Sequence, residues 1–280
     1  MNREQAYQLF EDMITTANKT LNEFTQTADL DIQNKADKTA VTACDKTIDE
    51  VLSKIAASKT GLGIVSEEGE HVLDIVKTGN YVTIDPIDGT LGYIEYVNYA
   101  LEHGGITNFG QQDLGAASDF CLLVGIVEDG VPTFGAVYNY ITKETILVSG
   151  NDKSALIREN NKRDYRQKNA VYVDQRPGDH IEDYLKSIPD VSVIKQAALG
   201  LKSIYTFINP HEAAITAHRV QIAGLWDIMP AAVAARAFGG QVFDDLGQPL
   251  QFKDYLILPG KGATIIRGEK FLEIPEMLSK

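Results

Sequence analysis

The sequence predicts a globular protein that combines an α+β part with an α/β part. Three observations support this class. Residues 4–25 carry apolar side chains at helical spacing, residues 119–150 read as strand, turn, strand, turn and strand, and the second half alternates short apolar runs with helical patterns. Alternation of strands and helices after an antiparallel sheet indicates packed layers around a hydrophobic core.

The first half is predicted to contain a second helix and two buried strands. Residues 45–57 have a helical pattern, and Asp45 is placed at or near the N-cap. The runs 61–70 and 79–90 each indicate a short buried strand whose C-terminal end delivers acidic residues to a loop. Residues 91–118 are rich in Gly, Asn and Gln, and we expect a long loop there that acts as a lid or faces the substrate.

The second half is predicted as an α/β layer. The first half ends with an antiparallel meander in which Asp129-Gly130 forms the tight turn. The polar, basic stretch 151–169 is predicted to separate two lobes, 1–150 and 151–280. We expect strands at 170–174, 190–194, 240–244 and 263–267, and helices at 180–187, 210–219 and 228–238.

Composition excludes several classes of partner. The chain of 280 residues has 26 Lys and Arg against 39 Asp and Glu, a net charge of −13, so nucleic acid polymers and anionic membranes are poor partners. Cys44 and Cys121 lack metal-type spacing and are expected to be buried thiols in a reducing compartment. No apolar window approaches the roughly 20 residues of a membrane span, which favours a cytoplasmic location.

The stretch 84-IDPIDGTLGY-93 carries the strongest chemical signal. Pro86 has no backbone donor, so the strand must bend there and bring the carboxylates of Asp85 and Asp88 and the Ile87 carbonyl around one point. Such oxygen ligands suit Mg²⁺ or Mn²⁺. An isolated Asp-Pro-x-Asp is more often a plain turn with a helix cap, so other acids must support the metal interpretation.

Three further acidic positions supply that support. Glu67 and Glu68 end the preceding strand, where neighbouring acids repel each other unless a cation offsets the charge. Asp227 opens a helix that Gly239-Gly240 closes, and Asp45 starts an earlier helix. Acids at four strand ends or helix starts predict a site for two or three metal ions.

These residues together resemble the inositol monophosphatase family, whose motifs are Asp-Pro-Ile-Asp-Gly-Thr, a preceding Glu-Glu and a later Trp-Asp. The resemblance spans most of the chain. It implies a layered αβαβα sandwich of the inositol monophosphatase and fructose-1,6-bisphosphatase type, with the active site between the lobes. It also implies a lithium-sensitive, metal-dependent phosphatase that hydrolyses small phosphomonoesters with Mg²⁺, for which Mn²⁺ could substitute.

The resemblance assigns roles to particular residues. The first lobe would hold most metal ligands, and the second would complete the metal site and the substrate pocket. Metal ligands would be Glu67, Asp85, the Ile87 carbonyl, Asp88 and Asp227. Asp45, Glu67 and Thr90 would be catalytic around the attacking water. Substrate would contact Gly89, Thr90, Lys202 and Arg219.

Several positions bear on the substrate. Arg219, the absence of an acid at Val220 and the pair Gly92-Tyr93 resemble the 3'(2'),5'-bisphosphate nucleotidase branch, whereas a long 91–118 loop resembles inositol polyphosphate 1-phosphatase. Met229 and Pro230 replace the small residues that follow Trp-Asp-x in the family, which alters one wall of the pocket. We therefore expect a bisphosphate nucleotidase, with inositol monophosphatase or inositol polyphosphate 1-phosphatase as the alternative.

Other interpretations stay open at this stage. A haloacid-dehalogenase-type phosphatase also places two aspartates before Gly-Thr, but two residues apart and near the N-terminus. An inactive regulator that binds metal or nucleotide is a distant alternative, and homodimerisation is compatible with the sequence. The histidines do not have metal-ligand spacing: His211 and His218 fall seven residues apart on a predicted helix, and His103 lies in the long loop.

Overall fold

The computed structural model describes residues 1–27, 32–34, 40–70, 73–102, 119–158, 168–173, 188–196, 198–209, 211–218, 223–244, 246–254, 258 and 263–272. The helices are α1 (Arg3–Thr27), α2 (Ala43–Thr60), α3 (Leu73–Thr78), α4 (Thr90–Glu102), α5 (Leu199–Ile208) and α6 (Leu225–Phe238), with a 3-10 turn at Glu269–Phe271. Among the helices of these described residues, none combines the length and apolarity that crossing a bilayer requires.

A six-stranded sheet forms the larger part of the first half. A small pair, β1 (Gln33–Asn34) and β2 (Ala40–Val41), precedes it. The sheet contains, in chain order and also in spatial order, β3 (Gly63–Ser66), β4 (Tyr81–Asp88), β5 (Cys121–Glu128), β6 (Val131–Asn139), β7 (Thr145–Ser149) and β8 (Ser154–Arg158). Only the β3 and β4 pair is parallel among these described strands, so the predicted meander at 119–150 is present.

A five-stranded mixed sheet forms the second half. Its strands are β9 (Asn169–Val173), β10 (Ser192–Lys195), β11 (Ala213–His218), β12 (Gln241–Asp244) and β13 (Ala263–Arg267), in the spatial order β10-β9-β11-β13-β12. Strands β9, β10 and β11 run parallel, and β13 runs antiparallel to both β11 and β12. Because β8 pairs with β7, the first sheet extends to residue 158. The division into lobes at residue 150 stays a prediction.

The helices and sheets stack as layers, which confirms the predicted fold class. Helices α1 and α2 pack on one face of the first sheet. Helices α5 and α6 lie between the two sheets, where they share one hydrophobic core with residues of both. The far face of the second sheet buries a third cluster around Ile215, Phe243 and Phe271. The helix predicted at 180–187 lies outside the described residues.

One predicted helix in the second half is wrong. Residues 210–219 were expected to be helical, but Ala213–His218 form β11, the central strand of the second sheet. Strands flanked on both sides and covered on both faces lose the alternating pattern that marks a half-exposed strand. His211 and His218 therefore do not share a helix face. His211 precedes the strand, is buried, and lies 2.9 Å from the Tyr172 hydroxyl through Nε2.

The predicted loop at 91–118 is also wrong in its first part. Residues 90–102 form helix α4, which buries Gly92, Tyr93, Tyr96, Val97 and Ala100 against the first core. Gly92 lies in the first turn, where a glycine costs about 1 kcal/mol relative to alanine, and this composition hid the helical pattern. Residues 103–118, which include His103, lie outside the described residues.

Two glycines let helix α6 approach the first sheet closely. A Cβ added at Gly125 would lie 2.2 Å from Met229 Cγ, and one at Gly135 would lie 2.9 Å from the Cα atom of Pro230. Pro230 is the sixth residue of α6, so the helix lacks one internal hydrogen bond at this point. The bare backbone of β5 and β6 therefore accommodates the two residues that depart from the family pattern.

We predict that Gly135→Ala destabilises the protein by about 1–3 kcal/mol, because its methyl group would meet helix backbone that cannot rotate away. Urea unfolding measures the free energy. Val131→Ala, at the exposed first position of the same strand, is the control and should stay within about 0.5 kcal/mol of wild type. Equal stability of Gly135→Ala and wild type would contradict the close approach.

Candidate metal and active site

The candidate site begins with an irregularity in strand β4. Asp85 pairs with Leu123 and Asp88 pairs with Cys121, so three steps along β4 oppose two along β5. The extra residue is a bulge, which bends a strand and redirects its side chains. Because Pro86 cannot donate to the ladder, the bulge falls where regular pairing would fail. Asp85 and Asp88 are both buried there.

Helix α6 adds the third acid. One carboxylate oxygen each of Asp85, Asp88 and Asp227 lie within 4.8 Å of one another, and we name these three residues the carboxylate cluster. Asp227 is the third residue of α6, not its N-cap, and its carboxylate accepts a hydrogen bond from the Gly224 amide at 2.5 Å. The first turn of the helix thus fixes Asp227 beside the bulge of β4.

Helix α5 holds Asp88 from the other side. The amides of Leu199 and Gly200, at the start of α5, donate to Asp88 Oδ1 at 3.2 Å and Oδ2 at 2.5 Å. Burial raises the pKa of Asp88 to about 6, while the Gly200 amide and the positive charge of Lys202 act in the opposite direction. The N-terminal end of a helix favours negative charge, so α5 supports an ionised Asp88.

Asp85 is the most strongly affected acid of the cluster. Burial raises its pKa well above the ordinary value, and the charges of Glu67, Asp88 and Asp227 raise it further. Glu67 also shares a side-chain hydrogen bond with Asp85. Glu67 follows β3 and is anchored there because its amide donates to the Ile84 carbonyl at 3.1 Å. Several acids that repel one another in a buried space fit a divalent cation, which hard carboxylate oxygens bind well.

Asp45 and Thr90 form a second group beside the cluster. The Thr90 hydroxyl lies 3.2 Å from both Asp45 Oδ1 and the Ile87 carbonyl oxygen, so it bridges helix α2 and the bulge. The amide and hydroxyl of Thr42 donate to Asp45 Oδ2 at 2.9 and 2.5 Å. Thr42 is therefore the N-cap of α2, and Asp45, expected at the cap, is its third residue in a capping box.

The structure also locates the predicted substrate residues. Gly89 has a positive φ of 93° and forms the turn from β4 into α4, whose first residue is Thr90. Lys202, expected to contact substrate, is a fully buried residue of α5 whose charge acts on Asp88. Tyr93 is fully buried against Phe120, so its ring serves packing and not substrate. Arg219 and Val220 lie outside the described residues.

Sequence reasoning missed the backbone donors of the site. The amides of Leu199 and Gly200 donate hydrogen bonds to Asp88. Because every residue except proline has a backbone amide, the residue types do not show which amides take part in a site. The glycine at position 200 is the one feature of the sequence that could have indicated these donors. A Cβ there would lie 2.4 Å from the Leu123 methyl groups, so a larger residue would keep α5 from packing this closely on β5. Cys44 and Cys121, expected as buried thiols, are buried and free, and Cys121 Sγ lies 3.7 Å from Asp88 Oδ2.

Comparisons with solved structures agree with the layered fold. A staphylococcal inositol monophosphatase-1, solved as a lithium-soaked inhibitory complex, shares 15% identity over 99% of this chain and 95% of that chain, with a TM-score of 0.71. Inositol monophosphatase II of Staphylococcus aureus MSSA476 shares 19% identity over 97% and 91%, with a TM-score of 0.64. An IMPase/NADP phosphatase complexed with NADP and Ca²⁺ shares 15% over 98% and 96%, with a TM-score of 0.70. The curated proteins include no match to this sequence.

Fold and site together define a class, a layered α and β protein whose carboxylate cluster could hold a metal ion. A sequence model of the inositol monophosphatase family matches residues 2–266. The chain therefore belongs to the inositol monophosphatase family, whose members are phosphatases that hydrolyse phosphomonoesters.

We predict that Asp45 makes the protein less stable as pH rises when divalent cations are removed with EDTA. Burial raises the pKa of Asp45 from 3.8 to about 7. Between these values the unfolded chain loses its proton first, so the free energy of unfolding falls as pH increases from about 4 to about 7. Asp45→Asn should flatten this decline by on the order of 4 kcal/mol, as measured by urea unfolding across the pH range.

The exposed Asp74 provides the control for this profile. Asp74→Asn also removes one carboxylate, but from the surface of α3, so its pH profile should follow that of wild type. If Asp45→Asn and wild type lose stability equally between pH 4 and pH 7, Asp45 is not the buried acid that titrates there.

Proposed function

We propose that the protein hydrolyses a small phosphomonoester with the help of Mg²⁺ bound at the carboxylate cluster. The observation that carries this proposal is the convergence of carboxylate oxygens of Asp85, Asp88 and Asp227 within 4.8 Å, where Asp85 and Asp88 are buried and Asp227 is half-buried. Glu67 reinforces it, because its side chain contacts Asp85 and its charge adds to the repulsion there. A cluster of this kind is costly to bury without a cation.

The proposed ligands are Glu67, Asp85, the Ile87 carbonyl, Asp88 and Asp227. All are oxygen donors, which suits Mg²⁺ and allows Mn²⁺ as a substitute. When bound, such ions activate water for attack and offset the charge of the phosphate and of the leaving oxygen. Two or three ions are expected, since five ligand groups exceed the one or two carboxylates with which proteins usually hold one Mg²⁺.

Thr90 and Asp45 are proposed to handle the proton of the attacking water. The Thr90 hydroxyl lies 3.2 Å from Asp45 Oδ1, so it can accept a proton from the water and pass its own proton to Asp45. Thr42 fixes the orientation of Asp45 through two hydrogen bonds to the other carboxylate oxygen. The proton thus moves from water to Asp45 while the new oxygen–phosphorus bond forms and the bond between phosphorus and the ester oxygen breaks. The released alkoxide takes up a proton from solvent to leave as the alcohol.

Helix α4 is proposed to bind the phosphate group. It begins at Thr90, directly after Gly89, and the first amides of a helix have no acceptor within that helix. These amides and the positive end of the helix dipole favour an anion beside the carboxylate cluster. This arrangement gives Gly89 and Thr90 their proposed role in substrate binding.

A nucleotide bisphosphate of the 3'(2'),5' class is our first substrate candidate. The charge of Lys202 beside Asp88 supports a site that attracts more than one phosphate, and Arg219 is proposed as a second cation. A protein of the same fold is an IMPase/NADP phosphatase, so this fold accommodates nucleotides. The burial of Tyr93 removes one of the sequence arguments for this branch.

An inositol monophosphate is the second candidate. Several of the similar structures are inositol monophosphatases, and the Staphylococcus aureus enzyme II among them was solved with bound inositol monophosphate. Leu91, at the start of α4, is 53% exposed beside the proposed phosphate site. Its apolar side chain favours a flat base over a polyol ring, which places the inositol phosphate second.

We predict that Asp85→Asn abolishes phosphatase activity and stabilises the EDTA-treated protein. Loss of a charged ligand should lower kcat/KM at least about a hundredfold. The amide retains an acceptor for the Ile87 amide, 3.1 Å from Asp85 Oδ1 in wild type, and it removes one of several repelling charges, so Tm should rise by several degrees. Activity assays and thermal scans of the same preparation measure both effects.

Mg²⁺ should raise the Tm of wild type but have little effect on Asp85→Asn. The exposed Asp74→Asn variant again serves as the control and should keep both activity and the Mg²⁺ response. An active Asp85→Asn enzyme would rule out the proposed metal site.

We also predict a ranking of substrates in phosphate-release assays with Mg²⁺. Adenosine 3',5'-bisphosphate should give the highest kcat/KM, followed by inositol 1-phosphate, with NADP, inositol 1,4-bisphosphate and fructose 1,6-bisphosphate as comparisons. Added Li⁺ should inhibit the reaction.

The outcomes of this assay separate the candidates. Preference for inositol 1-phosphate would reverse the two candidates but keep the metal-dependent reaction. No phosphate release from any substrate, in a protein that still binds Mn²⁺, would favour a regulator that has lost catalysis.

A further inference from the structure

The peptide that joins Pro86 to Ile87 is held from both sides. Its carbonyl oxygen accepts a hydrogen bond from the Tyr140 hydroxyl at 2.9 Å, and its amide donates to Asp85 Oδ1 at 3.1 Å. Because a peptide is planar and trans, its C=O and N–H point in opposite directions. A donor that fixes the carbonyl on one side therefore fixes the amide, and with it the Asp85 carboxylate, on the other.

The Tyr140 hydroxyl donates to the Pro86 carbonyl in place of a backbone amide of the sheet. The bulge between Asp85 and Asp88 interrupts the ladder with β5, and Pro86 is buried within it. A buried carbonyl without a partner costs free energy comparable to a lost hydrogen bond. Tyr140 follows the end of β6 and reaches this carbonyl from beyond the neighbouring strand.

The ring of Tyr140 is itself fixed by aromatic neighbours. It stacks on Phe120 with centroids 5.4 Å apart and an interplanar angle of 26°, and it meets Tyr138 edge-on at 5.3 Å. The Tyr140 amide also donates to the Phe120 carbonyl at 3.1 Å. Tyr140 is 2% exposed, so its hydroxyl has little freedom to choose another partner.

We propose that Tyr140 is a positioning residue for the metal site, which orients Asp85 and the Ile87 carbonyl through the Pro86–Ile87 peptide. This inference rests on the proposed function, since it concerns the same ligands. Tyr140 contacts neither substrate nor metal in this role. Partners that orient metal ligands commonly change metal affinity by about ten- to a hundredfold when they are lost.

Tyr138, in the last part of β6 and two residues before Tyr140, offers a matched control. Its hydroxyl donates to Asn18 Oδ1 at 3.2 Å, away from the bulge, and its ring is nearly as buried, at 6% exposure. Tyr140→Phe and Tyr138→Phe each remove one hydroxyl and its hydrogen bond while they keep the ring packing. A purely structural role would affect both variants alike.

Two measurements on the full-length protein test the proposal. Hydrogen exchange of a peptide covering residues 85–90, in EDTA, should be at least about fivefold faster in Tyr140→Phe, because the Ile87 amide loses its fixed orientation. Mn²⁺ titration followed by electron paramagnetic resonance, without substrate, should show about tenfold weaker binding in Tyr140→Phe. Tyr138→Phe should stay within about twofold of wild type in both measurements.

Each outcome decides a separate point. Unchanged exchange in Tyr140→Phe, unchanged Mn²⁺ affinity, or equal effects of the two variants would overturn the positioning role. A wild-type protein that binds no Mn²⁺ would instead refute the metal site of the proposed function, and the exchange measurement would then decide alone whether Tyr140 orients this peptide.

Discussion

The structure depends on burying several carboxylates at one point. Asp45, Asp85 and Asp88 are each 1–8% exposed, and Glu67 and Asp227 add charge to the same region. Desolvation and mutual repulsion both oppose ionisation there. The fold offsets this cost with the starts of helices: α5 donates two amides to Asp88, while Asp45 and Asp227 lie in the first turns of α2 and α6. Positive ends of helix dipoles therefore surround the acids.

Close packing of helices on sheets makes this arrangement possible. Gly125 and Gly135 let α6 rest almost on the backbone of the first sheet, and Gly200 does the same for α5 against Leu123. Larger residues at these positions would move the helix starts away from the acids that they support. The distance between these helices and the sheet therefore also determines how strongly the helix starts stabilise the charged acids. The same glycines explain how Met229 and Pro230 fit without disrupting α6.

Prediction from sequence succeeded where chemistry leaves a local pattern. The Asp-Pro-Ile-Asp-Gly-Thr motif, the Asp129-Gly130 turn and the amphipathic α1 all have short-range signals. Helix α5 was missed because residues 199–207 are all buried, so the helix has no polar face to mark its period. Strand β11 was mistaken for a helix for the corresponding reason, since Ala213–Thr216 are buried on both faces. The amides that hold Asp88 could not be predicted, because tertiary packing creates them.

The negative charge of the whole chain opposes the approach of the phosphate substrate that we propose. A net charge of −13 repels phosphate, and the carboxylate cluster adds a local concentration of negative charge. Helix α4 and Lys202 provide positive potential near the acids, but a single lysine and a helix end cannot balance the charge of the acids. For the proposed reaction we infer that a cation binds before the phosphate group, because its charge offsets the negative field of the acids. On this proposal, the low stability of the metal-free protein and its need for a cation before substrate binding are both consequences of the same buried charge.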